Sequence, residues 1–334
     1  MSADLRCSEA AAGVGEPLSG SAPVASCWVI IEQPGPWGRQ ALLDSRLPNE
    51  VGQSLATATA GTGTQVLLAR HPDRPAQPDR PDRPDPHDAP AERRVWIAHT
   101  APGDCWVRTG TVADPRDLLR LDFAALGQGT MPTFGSKAAH ATLFACTHSG
   151  RDTCCAVHGR ALYREVVDAL EARSPELRAR AWECSHLGGH RFAPTALTVP
   201  GGAVYGRLDV RSALAALDLA DAGRLELDHY RGRSAFPRPL QAAEAAVRAQ
   251  LGETDLAAVD ALWVLDDRAV PVRPGITLDN LAQIVAEVRH ADGRAWRVVV
   301  RTVPLAARPE SCGSEPVAGD YWSAVDIIPA APWR

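Results

Sequence analysis

Residues 141–172, ATLFACTHSGRDTCCAVHGRALYREVVDALEA, decide how the chain is read. ATLFAC (141–146) is an apolar run of strand length that ends on a cysteine. The turn-like THSGRD follows, with Asp152 or Thr153 placed to cap a helix from about Cys154 to Ala172. Leucine, valine and tyrosine recur along that helix at a spacing that gives it one apolar face. Further on, RAWECS (180–185) predicts a strand that runs into the loop HLGGHRFAP. ALTV (196–199) and AVYGRL (203–208) predict two strands about the turn Pro200-Gly201-Gly202, and a helix follows over 210–221.

The order β-α-β-β-β-α over 138–237 belongs to a small sheet covered by helices, as in thioredoxin-like domains. Upstream, 23–137 reads as an N-terminal α/β portion with strands at 27–32, 65–69 and 95–98. Its Pro/Asp/Arg segment 71–94 cannot sustain a ladder or a helix and is expected to be a disordered insertion. Residues 1–22, small and polar, are expected to be a mobile tail. Downstream, 238–334 opens on a helix (238–251) and continues as a mostly β portion with strands at 261–265, 283–288 and 296–300. No sequence repeat is visible.

Composition narrows the function. In 334 residues, 45% are hydrophobic and 22% charged, enough to build a sizeable core. A net charge of −5 argues against binding nucleic acid through phosphate neutralisation. No apolar run reaches the roughly 18 residues of a membrane span, and the N-terminus lacks the apolar core of a signal peptide, so a cytoplasmic protein is expected. Eight cysteines in such a chain point to metal or redox chemistry before disulfides.

Four side chains stand where the backbone turns: Cys146 at a strand end, Cys155 at a helix start, and His186 and His190 framing HLGGH. Gly188 and Gly189 let that loop fold tightly around a bulky group. Two thiolates and two imidazoles suit either a tetrahedral zinc ion or a [2Fe–2S] cluster. The C-x8-C interval is wider than a zinc knuckle and favours the cluster, while iron against zinc stays open. Arg151 and Arg191 flank the ligand segments as ordinary surface arginines, as neighbours of the site or as docking charges, and Cys154 is a free thiol or an alternative ligand. Cys7, Cys27, Cys105 and Cys312 are scattered and read as structural or incidental. HYRGRS (229–234) reads equally as an anion site or as a structural turn.

CTHSGRDTCCAVHGR, WECSHLGGHRFAPTALTVPGGAVYGRLD, DHYRGRSAFP and PGPWGRQALLDSRLP together resemble the sucrase/ferredoxin-like family over about 25–250. The H-x-G-G-H loop is similar to that of thioredoxin-like ferredoxins of the bis-histidine, Rieske type. That resemblance implies a [2Fe–2S] cluster with Cys146 and Cys155 on one iron and His186 and His190 on the other. Histidine ligands would raise the potential and couple it to protons. No pair of glycosidase carboxylates can be named, so sucrase activity is not expected. No G-x-G-x-x-G follows a strand, so electrons are expected from a separate NAD(P)H-dependent reductase and pass to a separate acceptor. The rival readings are a structural zinc protein on the same four ligands and a thiol-based redox enzyme using Cys154 and Cys155.

Overall fold

The structure is a computed structural model that describes residues 6–70, 92–265, 268–270 and 282–331. A helix, α1 (Cys7–Gly13), leads into a first α/β half. That half comprises β1 (Cys27–Glu32), α2 (Ala41–Asp44), α3 (Asn49–Thr59), β2 (Thr64–Arg70), β3 (Arg93–His99), β4 (Trp106–Val112), α4 (Phe123–Gly127) and β5 (Ser136–Lys137). The second half comprises β6 (Thr142–Cys146), a π-helical turn (Cys155–Gly159) continued by α5 (Arg160–Arg173), β7 (Ala181–Cys184), β8 (Ala196–Val199), β9 (Ala203–Tyr205), α6 (Val210–Asp221) and β10 (Tyr230–Arg233). Then come α7 (Arg238–Leu251), β11 (Val259–Leu265), β12 (Arg268–Val270), β13 (Gln283–His290), β14 (Ala295–Pro309) and β15 (Pro316–Ala330).

Both halves form one mixed ten-stranded sheet in the order β10-β9-β8-β6-β7-β2-β1-β3-β4-β5. A separate antiparallel sheet, β12-β11-β13-β14-β15, makes the mostly β C-terminal portion. The class is α/β, as the alternation of elements predicts. The junction at 137–138 passes inside one sheet, because each half needs the other to cover its inner apolar face.

That face is legible in the strands. Trp28 and Ile30 of β1, Trp96 and Ala98 of β3, and Phe144 and Cys146 of β6 belong to one buried cluster shared by the halves. The alternate residues Val29, Ile31 and Ile97 pack under α3 and α4, while Leu143 and Ala145 pack under α5 and α6. Trp96 meets Phe144 and Trp182 edge-on, with ring centroids 5.2 and 4.6 Å apart. Strands buried on both faces need near-continuous apolar runs, which CWVIIE and TLFAC supply.

The strand order contains a repeat that the residues hide. β2-β1-β3-β4 and β7-β6-β8-β9 each join a parallel pair through a helix and then add two antiparallel strands and a further helix. The two sets meet where β2 pairs antiparallel with β7, Ala69 opposite Cys184 and Arg70 opposite Glu183. The carboxyl ends of β1, β2, β6 and β7 therefore gather at one seam, a recurrent place for sites in α/β sheets.

Three expectations change. The tail expected over 1–22 is, in its described part, packed: α1 buries Cys7, Ala10 and Ala11, small residues that allow close approach. HYRGRS is edge strand β10, with Arg231 and Arg233 buried. The expected insertion lies outside the described residues over 71–91, and Arg93 and Arg94 belong to β3.

In the C-terminal portion α7 covers the smaller sheet, and its Glu244 and Arg248 form a wholly buried ion pair at 2.7 Å. Strands β14 and β15 outrun their neighbours as a ribbon whose turn, residues 310–315, lies against the second half. Among the described residues no helix is long and apolar enough to cross a membrane.

Candidate metal centre

Cys146 ends β6 and turns its side chain onto the face shared by the two halves. The chain then loops through Thr147, whose N–H donates to the Cys184 carbonyl (3.1 Å), and re-enters a helix at Cys155. Asp152 fixes that entry, since its Oδ1 accepts the Cys154 N–H at 2.8 Å. A π-helical opening turn is uncommon and is found mostly where a helix serves a site. Parallel to β6, β7 carries the chain through Ser185, whose Oγ accepts the Leu68 N–H from the first half (3.0 Å), to His186. The sulfurs of Cys146 and Cys155 and a ring nitrogen of His186 thereby come within 4.8 Å of one another.

His190 stands beside this trio, its ring centroid 5.3 Å from that of His186 and tilted by 31°. Its Nε2 lies 2.6 Å from the Glu310 carbonyl, 3.0 Å from Ser311 Oγ and 3.7 Å from Asp152 Oδ2. A carbonyl only accepts, so the proton sits on Nε2 and the lone pair on Nδ1. That Nδ1 is buried without a hydrogen-bond partner, as is Nδ1 of His186. Buried polar atoms are ordinarily satisfied, and here Nδ1 of His148, His186 and His190 are all unpartnered near the two thiols; of these groups Cys146, Cys155 and His186 lie close enough to hold a metal ion.

The electrostatics agree. Cys146 is held well below the usual thiol range by the Cys155 S–H, by His186 and by the backbone N–H of His148, against the opposing effect of burial. Cys155 keeps the shared proton, pushed up by that hydrogen bond and by burial. Burial also lifts Cys184, and then the nearby Cys146 adds to it. His190 and His148 are both held below the usual imidazole range by burial, hence neutral and ready to donate a lone pair. His148 gives its Nε2 side to the Gly38 carbonyl at 2.8 Å, so the first half props it.

The remaining residues expected at the site fall into different places. Gly188 and Gly189 take left-handed φ of 76° and 70°, and a Cβ on Gly189 would strike the Arg231 guanidinium, so the pair lets the loop close on its own support. Arg151 is exposed on the turn before Cys155. Arg191 stacks over Phe192 and pairs with buried Glu16 at 2.8 Å. Cys154 aims its sulfur away from Cys155's partners, toward Cys7 and Cys312.

Sequence reasoning singled out Arg231 only within HYRGRS and did not connect it with this centre. Wholly buried, it donates from Nη1 to the Gly188 carbonyl (3.1 Å) and from Nε to Ser21 Oγ (3.0 Å). Burial brings its guanidinium down to about 9, the cations Arg191 and Arg238 push the same way, and the thiols Cys146 and Cys155 partly restore it. A cation thus stands behind the two sulfurs. Arg70, on β2, is a further support from the first half: it pairs with Glu183, donates to Thr147 Oγ1 (3.3 Å) and stacks on Trp37 at 4.1 Å. Glu310 and Ser311, 120 residues or more from His190, carried no signal in the sequence.

Residues 18–232 match the family model described as sucrase/ferredoxin-like. That span is more than half of the chain, which therefore belongs to this family. No curated protein and no solved structure matches it.

Proposed function

We propose that this member of the sucrase/ferredoxin-like family is an electron carrier whose [2Fe–2S] cluster is held by Cys146, Cys155, His186 and His190. The observation that carries the reading is the approach of both sulfurs and His186 to within 4.8 Å beside the buried, unpartnered Nδ1 atoms of His186 and His190. When bound, such a cluster takes up and returns one electron.

The chain's own residues set the terms. The His148 amide and the buried Arg231 guanidinium both favour negative charge at Cys146 and Cys155, and so favour reduction. The Glu310 carbonyl accepts the outer N–H of His190 and so fixes the tautomer that leaves Nδ1 free to ligate. The order β7-β6-β8-β9 with α5 and α6 supports a thioredoxin-like frame for the second half. Donor and acceptor are separate proteins, a NAD(P)H-dependent reductase and a redox partner, with exposed Arg151 as a charge at the docking face. Eight free thiols suit the reducing cytoplasm.

The test is the visible spectrum and iron content of protein purified without oxygen, with EPR after reduction. About two irons per chain and a Rieske-like reduced signal are expected. His186→Cys and His190→Cys should keep a cluster of lower potential with weaker pH dependence. A colourless protein whose zinc disappears in Cys146→Ser would replace the electron carrier with a structural zinc protein.

A further inference from the structure

A second group of thiols draws together outside this centre. Cys7 opens α1, Cys154 precedes Cys155, and Cys312 lies in the turn between β14 and β15. These positions are 147 and 158 residues apart in sequence. Their sulfurs form a triangle with sides of 3.5 Å (Cys7–Cys154), 3.3 Å (Cys154–Cys312) and 3.7 Å (Cys7–Cys312). The Asp152 carboxylate makes the fourth corner, with Oδ1 3.7 Å from Cys7 Sγ, and all four donors lie within 4.8 Å of one another. Cys7 and Cys154 are wholly buried, and Asp152 is nearly so.

We propose that Cys7, Cys154, Cys312 and Asp152 form a second, structural metal site that takes zinc(II). A tetrahedral zinc ion with Zn–S bonds of about 2.3 Å sets its sulfurs about 3.8 Å apart. The triangle is within about half an ångström of that size, a small adjustment on binding. The carboxylate is oriented from outside as ligating carboxylates are: Oδ1 accepts the Cys154 N–H (2.8 Å) and Oδ2 the Cys312 N–H (2.9 Å). Ser8 Oγ, 3.2 Å from Cys154 Sγ, supports the central thiolate. Four protein donors with no open position describe a structural site, and a set of three sulfurs and one oxygen suits zinc better than a hard cation.

A disulfide explains less. Bonded sulfurs lie about 2.05 Å apart, and any one bond would leave the third thiol buried beside it without a role. Zinc accounts for all four groups and for their origins. It would staple α1 and the tip of the β14–β15 ribbon onto the loop that delivers Cys155. The proposal does not rest on the cluster, since it uses none of that centre's ligands.

The experiment counts metals in the full chain, purified with reductant from zinc-replete cells, by elemental analysis and native mass spectrometry. Wild type and Cys146→Ser should each carry one zinc per chain. Cys7→Ser and Cys312→Ser should lose it while keeping the wild-type iron content and visible spectrum. Cys312→His, which offers another zinc ligand, should regain the metal and so separates lost coordination from lost folding. Zinc missing from wild type, zinc retained in both serine variants, or zinc lost only in Cys146→Ser would each overturn the site. So would a peptide map of the reduced protein showing Cys154 joined to Cys7 or Cys312. Zinc present with iron absent would sink the electron-carrier reading and leave this one standing.

Discussion

The two halves of the ten-stranded sheet share a strand order and differ in what their strands end on. β6 ends on Cys146 and β7 leads to His186, whereas β1 ends on Glu32, whose carboxylate accepts the Arg94 N–H at 3.1 Å, and β2 ends on Arg70. The second half makes the centre. The first supplies Arg70, the Gly38 carbonyl and the Leu68 backbone as buttresses for it. One topology thus carries the candidate ligands in one copy and their supports in the other, which is why fold alone does not assign function.

That contrast can be broken most completely at the strand ends. Cys146→Ser should abolish bound iron, while Glu32→Gln, the matching position of the first half, should leave iron content at the wild-type value; loss of iron from both would erase the asymmetry. Next in size is the clamp of the N-terminal segment on the second half, where buried Glu16 meets Arg308 at 2.6 and 2.8 Å and Arg191 at 2.8 Å. Burial alone would raise the Glu16 carboxyl, but these arginines outweigh it and hold it below its usual value. Its contribution is therefore complete above the unfolded carboxyl pKa of about 4.3 and is lost as pH falls toward the lower folded value. Glu16→Gln should cost about 4 kcal/mol at neutral pH, read by urea denaturation, and the gap to wild type should close in acid. A gap that persists unchanged in acid would remove the ion-pair account.

Across the seam, Arg70→Met should cost about 3 kcal/mol by leaving Glu183 uncompensated, and the double variant Arg70→Met/Glu183→Leu should recover most of it. Equal losses in single and double variants would mean that the halves are not coupled through this pair. The smallest effect is expected at Gly188→Ala, about 1 kcal/mol for the left-handed φ, because its Cβ would meet nothing within 4 Å. Gly189→Ala should cost more, since it also displaces Arg231. Thermal denaturation of the two variants side by side ranks them.

Much of the second half could be read from its residues. The unbroken apolar run TLFAC, the helical spacing after Cys155 and the glycine pair of HLGGH are local signals, and local signals survive in a sequence. The loop positions of Cys146, Cys155, His186 and His190 were visible for the same reason. Cys7 and Cys312 were not, because nothing in their spacing announces a meeting of segments so far apart. The repeat escaped notice because it is carried by strand order, not by matching residues. The α1 segment reads as a tail by composition, yet its small side chains are what let it pack against His190–Phe192. Strand β4, WVRTGTV, lacks the apolar density that marks a strand in isolation, and the apolar residues of strand β15 are interrupted by two prolines, a glycine and two aspartates.

The β14–β15 ribbon has one more consequence. At about 3.4 Å per residue, fifteen-residue strands span about 50 Å, and beyond Val300 the residues are largely exposed. Two strands without a core of their own are marginal in water. The ribbon is a boom moored at both ends, in the apolar core around Trp296 and Trp322 and again at Arg308, Glu310 and Cys312. Casting off the far mooring altogether would strip His190 of its carbonyl partner and Glu16 of Arg308 in one movement, so one turn of the C-terminal sheet reaches both the flank of the centre and the clamp of the N-terminal segment.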